Sequence, residues 1–347
     1  VERGPDLSQT NPRSIDHVPT TIGFQDLGAP YGIVLQDDLA YITSGREVRS
    51  VQRPLTVASL AKPLGSGNSN GYWIGALKLQ RSAKRALASL SNAHLMRSQL
   101  GILDLSTPSA PKFMDLDKVD PEQNFIKDSL SVMDAHGDLL LAGHTSLHAF
   151  GLTGTSQLQH MTSLDLDPEA VTAIAIGETQ AFIATSRPEI LVLEGLAPSM
   201  SALQVQVRLG LSESVRAMAI QGGYLYTLGS HYEFPKEVGS VHEKGWSYGQ
   251  LRVYQLASTG LPKLVGQLRL PYPGDKLLVQ GDRLFLGHGR RTDGRGHPGI
   301  AVLDIAEPAR PRVRQWLTLP HATGVSGMDF DGAQLVIATG RAGLLIY

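Results

Sequence analysis

Between His231 and Tyr248 the chain gathers two histidines, three glutamates, two tyrosines and a tryptophan. Imidazole beside carboxylate is the pairing used for general acid–base work. His231, Glu233 and His242, with His288 further on, are therefore the residues of a hydrolase reading. The same segment also suits recognition. Tyr232, Trp246 and Tyr248 offer rigid apolar area with a polar handle, and aromatic rings beside carboxylates suit a glycan. The spacing of His231, Glu233 and His242 matches no compact zinc motif.

A second group is basic. Gly287–Pro298 carries His288, Arg290 and Arg291 among glycines, so guanidinium and backbone N–H groups could face an anion. It lacks the helix N-terminus of a phosphate loop. A third pattern appears when second strands of the repeats described below are aligned. Each ends near Arg46, His144, Arg187, His231, His288 or Arg341. Such a ring would focus positive potential on one face and select an anionic partner, unless each residue simply meets a local carboxylate or water.

Strong catalytic signatures are missing. There is no cysteine, hence no thiol nucleophile, disulfide or Cys-ligated zinc. Neither Gly-x-Ser-x-Gly nor His-Glu-x-x-His occurs. A calcium site needs six or more oxygens, and the strands expected to line a central channel supply few carboxylates beyond Asp134 and Asp329. No cofactor is implied.

The elements that position these groups are repeats. Gly101–Pro111 and Gly299–Pro311 share an apolar run ending in Leu-Asp-Leu or Leu-Asp-Ile, then Pro-x-x-Pro. Internal similarity of this kind marks a repeat architecture. Val171–Ile176, Gln180–Thr185, Glu189–Leu193 and Leu203–Leu209 form one four-stranded unit of a little over forty residues. Counting similar units predicts an all-β, six-bladed β-propeller of four-stranded antiparallel blades. The last unit supplies three strands, and Thr21–Leu27 is expected to complete it and remove an open sheet edge. Asp104 and Asp304 read as turn acceptors rather than ligands.

The expected organisation is an N-terminal extension over residues 1–20 and a single propeller over 21–347. Insertions fall at about 46–99, 230–248 and 288–298, each between second and third strands and so on one face. In the largest, Tyr72–Leu79 reads as an extra strand. Ser82–Leu90 reads as a short helix, with Ala83, Leu87 and Leu90 at helical spacing.

The Pro-x-x-Pro pattern resembles the LVIVD-repeat family of bacterial β-propellers. The match is good at Ile102–Pro111 and Val302–Pro311, degraded at Leu191–Pro198, and weaker at Val253–Pro262 and His148–Gly154. The resemblance implies an extracytoplasmic protein, often part of a larger surface polypeptide, with a binding rather than catalytic role and no transferable catalytic residues.

The composition agrees with a globular chain: 42% hydrophobic, 18% charged, with 37 Gly and 20 Pro spread among many turns. A net charge of −1 gives no bulk attraction to nucleic acid, and no apolar run is long enough to span a bilayer. The start at Val1 is neither a signal peptide nor an initiator methionine and points to a piece of a longer polypeptide. The expected function is a recognition or scaffold domain that binds a protein or glycan through the insertion face, beside other domains of the same polypeptide.

Overall fold

Apolar runs of period two, or apolar throughout, separated by Gly, Asp and Pro turns, form strands of three to ten residues. A computed structural model describes residues 20–22, 30–80, 83–92, 97–114, 130, 132–153, 157–196, 200–233, 246–257, 261–288, 298–319 and 324–347.

The strands build seven four-stranded antiparallel sheets. After β1 (Thr20–Ile22), sheet I holds β2 (Pro30–Gln36), β3 (Leu39–Ser44), β4 (Glu47–Gln52) and β5 (Gly65–Asn68). The short helix α1 (Val57–Ala61) lies between β4 and β5. Sheet II holds β6 (Trp73–Gln80), β7 (Arg85–Asn92), β8 (Arg97–Asp104) and β9 (Lys112–Met114). Sheet III holds β10 (Val132–His136), β11 (Leu139–Gly143), β12 (Ser146–Thr153) and β13 (Gln157–Asp165). Sheet IV holds β14 (Val171–Ile176), β15 (Gln180–Thr185), β16 (Glu189–Glu194) and β17 (Val205–Gly210). Sheet V holds β18 (Ser214–Gln221), β19 (Tyr224–Glu233), β20 (Trp246–Gln255) and β21 (Lys263–Leu270). Sheet VI holds β22 (Lys276–Gln280), β23 (Arg283–His288), β24 (Gly299–Asp304) and β25 (Arg312–Thr318). Sheet VII holds β26 (Gly327–Phe330), β27 (Leu335–Ala338) and β28 (Leu344–Ile346), with β1 as its fourth strand. Thr20, Thr21 and Ile22 pair with Ile346, Leu345 and Leu344; residues 23–27 of the expected closing strand lie outside the described residues.

The protein is a seven-bladed propeller, not the six-bladed one expected. The discrepancy lies in Arg46–Gln99. That segment is not an insertion. It contains β4, α1 and β5 of sheet I, then β6, β7 and the start of β8 of sheet II. The helix expected over Ser82–Leu90 is not formed from Arg85 onward, because Arg85–Asn92 is strand β7; Ser82 lies outside the described residues. A second strand buried on both faces carries no polar alternation, and Arg85–Leu90 is buried throughout. Its alanines and leucines could therefore match a helical period by chance.

Each sheet packs on the next through its own apolar cluster. Val34, Tyr41 and Val48 of sheet I meet Ile74, Ala86 and Leu103 of sheet II. Similar clusters join the following sheets in turn. The last cluster sets Ile33, Leu35 and Ile42 of sheet I against Val336, Ala338 and Leu344 of sheet VII. Polar links reinforce these seams. The buried Asp329 carboxylate of β26 accepts a hydrogen bond from the Leu35 N–H of β2 at 2.6 Å. Asp134 of β10 likewise accepts from Ile176 N–H of β14 at 2.9 Å, and Lys78 of β6 lies 2.5 Å from it. Both aspartates thus serve inter-sheet contacts. At the same C-terminal ends of first strands β6 and β18, Gln80 and Gln221 donate side-chain amides to the carbonyls of Gly137 and Gly281 in the next sheet.

The Pro-x-x-Pro turns are latches between blades. Asp104 Oδ1 accepts from Ser106 N–H at 2.8 Å and Asp304 Oδ1 from Ala306 N–H at 3.0 Å, the turn role expected of them. Pro108–Pro111 then presses on β5, where a Cβ on Gly65 or Gly67 would overlap the backbone of Ser109 or Pro111. Ser50 donates to the Pro108 carbonyl across the same seam. The second turn repeats the contact, because a Cβ on Gly266 would lie 2.5 Å from the Pro308 carbonyl oxygen.

Gly67→Val should lower stability by about 1–3 kcal/mol through overpacking, while Gly210→Ala, at a site with open space, should not. Urea midpoints of the two variants check this. Asp329→Ala should cost a similar ~1–3 kcal/mol, because the Leu35 N–H stays buried without its acceptor; an unchanged midpoint would exclude the seam as a source of stability.

Candidate recognition site at the channel mouth

The first strands of consecutive sheets are neighbours around the centre of the molecule. Where these strands begin, an open cavity of about 610 Å³ is lined from four sheets: Tyr31–Ile33, Trp73–Leu77, Asp275–Leu277 and Val325–Met328. The hairpins between second and third strands emerge on this same side, since alternate connections of an antiparallel sheet share an end.

A repeated irregularity supplies the mouth with functional groups. In β2, β14 and β18 the pairing slips by one residue at Tyr31, Thr172 and Arg216, and β6 slips within Gly75–Ala76. Ahead of β22 and β26, Asp275 and Ser326 donate backbone N–H groups to Gly287 and Ala338, the residues that also face Lys276 and Gly327. They hold the corresponding register. A bulge leaves one residue outside the ladder and re-aims its side chain. Here it turns a tyrosine, an arginine, an aspartate and two hydroxyl residues out of otherwise apolar strands.

Two aromatic rings stand exposed at this mouth, Tyr31 at 43% and Trp73 at 47%. Trp73 lies over Gly45, whose φ of +62° and close ring contact both favour glycine. The Arg46 guanidinium lies 5.9 Å from the centre of the Trp73 ring. The Asp275 carboxyl titrates above the ordinary carboxylate range. Desolvation is the main cause, although the residue stays exposed, and Lys276 and Arg216 oppose it. The rim therefore combines open aromatic area, with Arg46 beside Trp73, and the Asp275 carboxylate near Lys276 and Arg216.

The other candidates separate. Arg187 Nε lies 2.9 Å from the buried carboxylate of Glu169, so it meets a local partner. His144 sits at the turn after β11. His231 faces Tyr248 across the β19–β20 hairpin with ring centres 5.0 Å apart, and Arg269 covers the other ring at 3.7 Å. His288 is buried at 3%, stacked on Tyr272 at 4.8 Å and edge-on to Trp316. His231 and His288 thus occupy separate aromatic stacks in sheets V and VI. Tyr232 and Glu233 pair with Ser247 and Trp246, so strand structure extends into the segment 230–248 expected as an insertion. The side chains of Tyr232, Glu233 and Trp246 lie outside the described residues, as do His242, Arg290 and Arg291. Arg341 falls in a 3-10 turn, Gly340–Ala342, and its side chain is likewise outside them. Among the described residues no three His, Cys, Asp or Glu side chains cluster as metal ligands, and no helix is long and apolar enough to cross a membrane.

Tyr31 and Lys276 fall in strands expected to line the channel but are not among the expected binding residues. Trp73 falls in the strand expected within an insertion, and Asp275 lies just ahead of an expected channel strand. The available signal was the register slip, which becomes visible only once strand partners are known.

No family model matches the chain, and no curated protein does. Solved structures share its fold. A chain of the mitotic checkpoint complex is 11% identical with a TM-score of 0.63, over 96% of this chain and 95% of that one. A chain of hydrazine synthase from Kuenenia stuttgartiensis is 14% identical with a TM-score of 0.62, over 96% and 99%. The computationally designed Ika8 protein is 13% identical with a TM-score of 0.57, over 92% and 83%. At such identities the likeness shows the β-propeller fold and nothing further.

For the mouth, Lys276→Met should raise the Asp275 pKa further, because the ammonium opposes the upward shift. Asp275→Asn should stabilise the fold at pH 7 and give no gain below about pH 3.9, where the carboxyl is protonated folded or unfolded. Carboxyl NMR titration and denaturation at the two pH values measure both; a downward shift in Lys276→Met would contradict the assigned cause.

Proposed function

We propose that this chain is a non-catalytic recognition domain that holds a protein partner on the face bearing the channel mouth. The observation that carries the reading is the pair of exposed rings, Tyr31 and Trp73, beside a cavity and bordered by cationic side chains. Aromatic anchors next to a pocket are the usual energetic centre of an interface, whereas an exposed tryptophan adds nothing to the core. Propellers serve in multi-protein assemblies; one similar structure is a chain of the mitotic checkpoint complex. The excess of Arg46, Arg216 and Lys276 over Asp275 favours an acidic contact segment. From the Pro-x-x-Pro resemblance we further infer a bacterial exported or surface polypeptide, with neighbouring domains.

The test immobilises the full chain, identifies a captured protein and measures its affinity directly, with a glycan array run in parallel. Trp73→Ala and Tyr31→Ala should each weaken the partner by roughly 10–30-fold, the effect of losing an interface hot spot, with unchanged thermal midpoints. Replacing residues 234–245 by Asn-Gly, which spares the paired strands, reports the contribution of that hairpin separately. Affinity unaffected by both aromatic variants removes the mouth from the function. A glycan signal lost in the same variants, with no protein captured, replaces the protein partner by a sugar.

A further inference from the structure

Away from the mouth, on the outer half of sheet III, two histidines face each other. His148 is on β12 and His160 on β13. The register slips between Ala149 and Phe150, which pair with Thr162 and His160 and leave Met161 as the extra residue. The slip sets His160 opposite Phe150, one step from His148 on the same side of the sheet. His148 Nδ1 and His160 Nε2 then lie 3.4 Å apart, with ring centres 5.5 Å apart. Ring centres so much further apart than the nitrogens mean that the nitrogens point toward one another. Phe150, buried at 3%, meets the His160 ring edge-on at 5.3 Å and fixes its plane.

This separation is long for a direct hydrogen bond, whose donor and acceptor prefer about 2.7–3.2 Å. It matches a chelate. Two Zn–N bonds of about 2.0–2.1 Å at a tetrahedral angle set their nitrogens about 3.3–3.4 Å apart. We propose that His148 and His160 form a binding site for one borderline divalent cation, of the Zn²⁺ or Cu²⁺ class, coordinated by His148 Nδ1 and His160 Nε2 and completed by water. Imidazole suits these metals over the hard oxygen-seeking ions. Both ligands sit on paired strands, so little order must be gained on binding. The site does not depend on the partner reading above.

The experiment uses the full chain without a histidine tag, stripped with a chelator. Calorimetric titration with Cu²⁺ and with Zn²⁺ should show a saturable site, with Cu²⁺ the tighter as the stability order of divalent ions requires. His148→Ala and His160→Ala should each abolish that site, and His136→Ala, an exposed histidine of the same sheet, should leave it intact. Paramagnetic resonance of the Cu²⁺-loaded natural chain provides a readout independent of variant folding and should show two imidazole nitrogens in the coordination plane. Binding that survives both substitutions, or a spectrum without two imidazole nitrogens, overturns the proposal.

Discussion

Burial of both faces of every sheet between its neighbours is the constraint on which the structure depends. Each seam holds an apolar cluster drawn from two sheets, including the seam between the last sheet and the first. The hydrophobic effect acts on area and carries no direction, so it presses sheets together without setting their register. Register comes from polar groups placed along the seams. The carboxylates of Asp134 and Asp329 accept N–H groups of the neighbouring first strand, and Gln80 and Gln221 bond the next hairpin at the corresponding strand ends. In an apolar surrounding an amide without a partner is costly, and these contacts therefore exclude slipped arrangements of adjacent blades.

The same constraint explains where function can reside. Strands buried on both faces have few side chains to spare, and second strands such as β11 and β27 are aliphatic apart from glycine. Chemistry is confined to the ends of strands and to irregularities in the ladder. The bulge near the start of the first strands is such an irregularity. It displaces Tyr31, Arg216 and their counterparts from the ladder while the rest of each strand stays packed. The bulge in sheet III acts similarly on His160. In both places a one-residue slip converts a structural strand into a carrier of polar groups.

The Pro-x-x-Pro latch shows how a stabilising contact can hide an element. The turn of sheet II presses its backbone on β5, and only glycine fits beneath it at positions 65 and 67. The resulting strand, Gly-Ser-Gly-Asn, has no apolar side chain and reads as a flexible loop. With β5 lost from view, the outer half of sheet I and the inner half of sheet II merged into one apparent insertion, and the blade count fell to six. The copies in sheets III to VI have outer strands with apolar side chains and match the expected four-strand units.

The amino-acid sequence by itself determined the all-β class, the four-strand repeat, the turn role of Asp104 and Asp304 and the pairing of an N-terminal strand with the C-terminal ones. These follow from local periodicity and turn chemistry, which act over a few residues. Tertiary structure alone decided the number of blades, the burial of His288, the pairing of Arg187 with Glu169 and the meeting of Tyr31, Trp73 and Asp275 at one mouth. Those outcomes depend on contacts between residues tens to hundreds of positions apart. Their geometry is set by how seven sheets divide the circle, a property that no single repeat encodes.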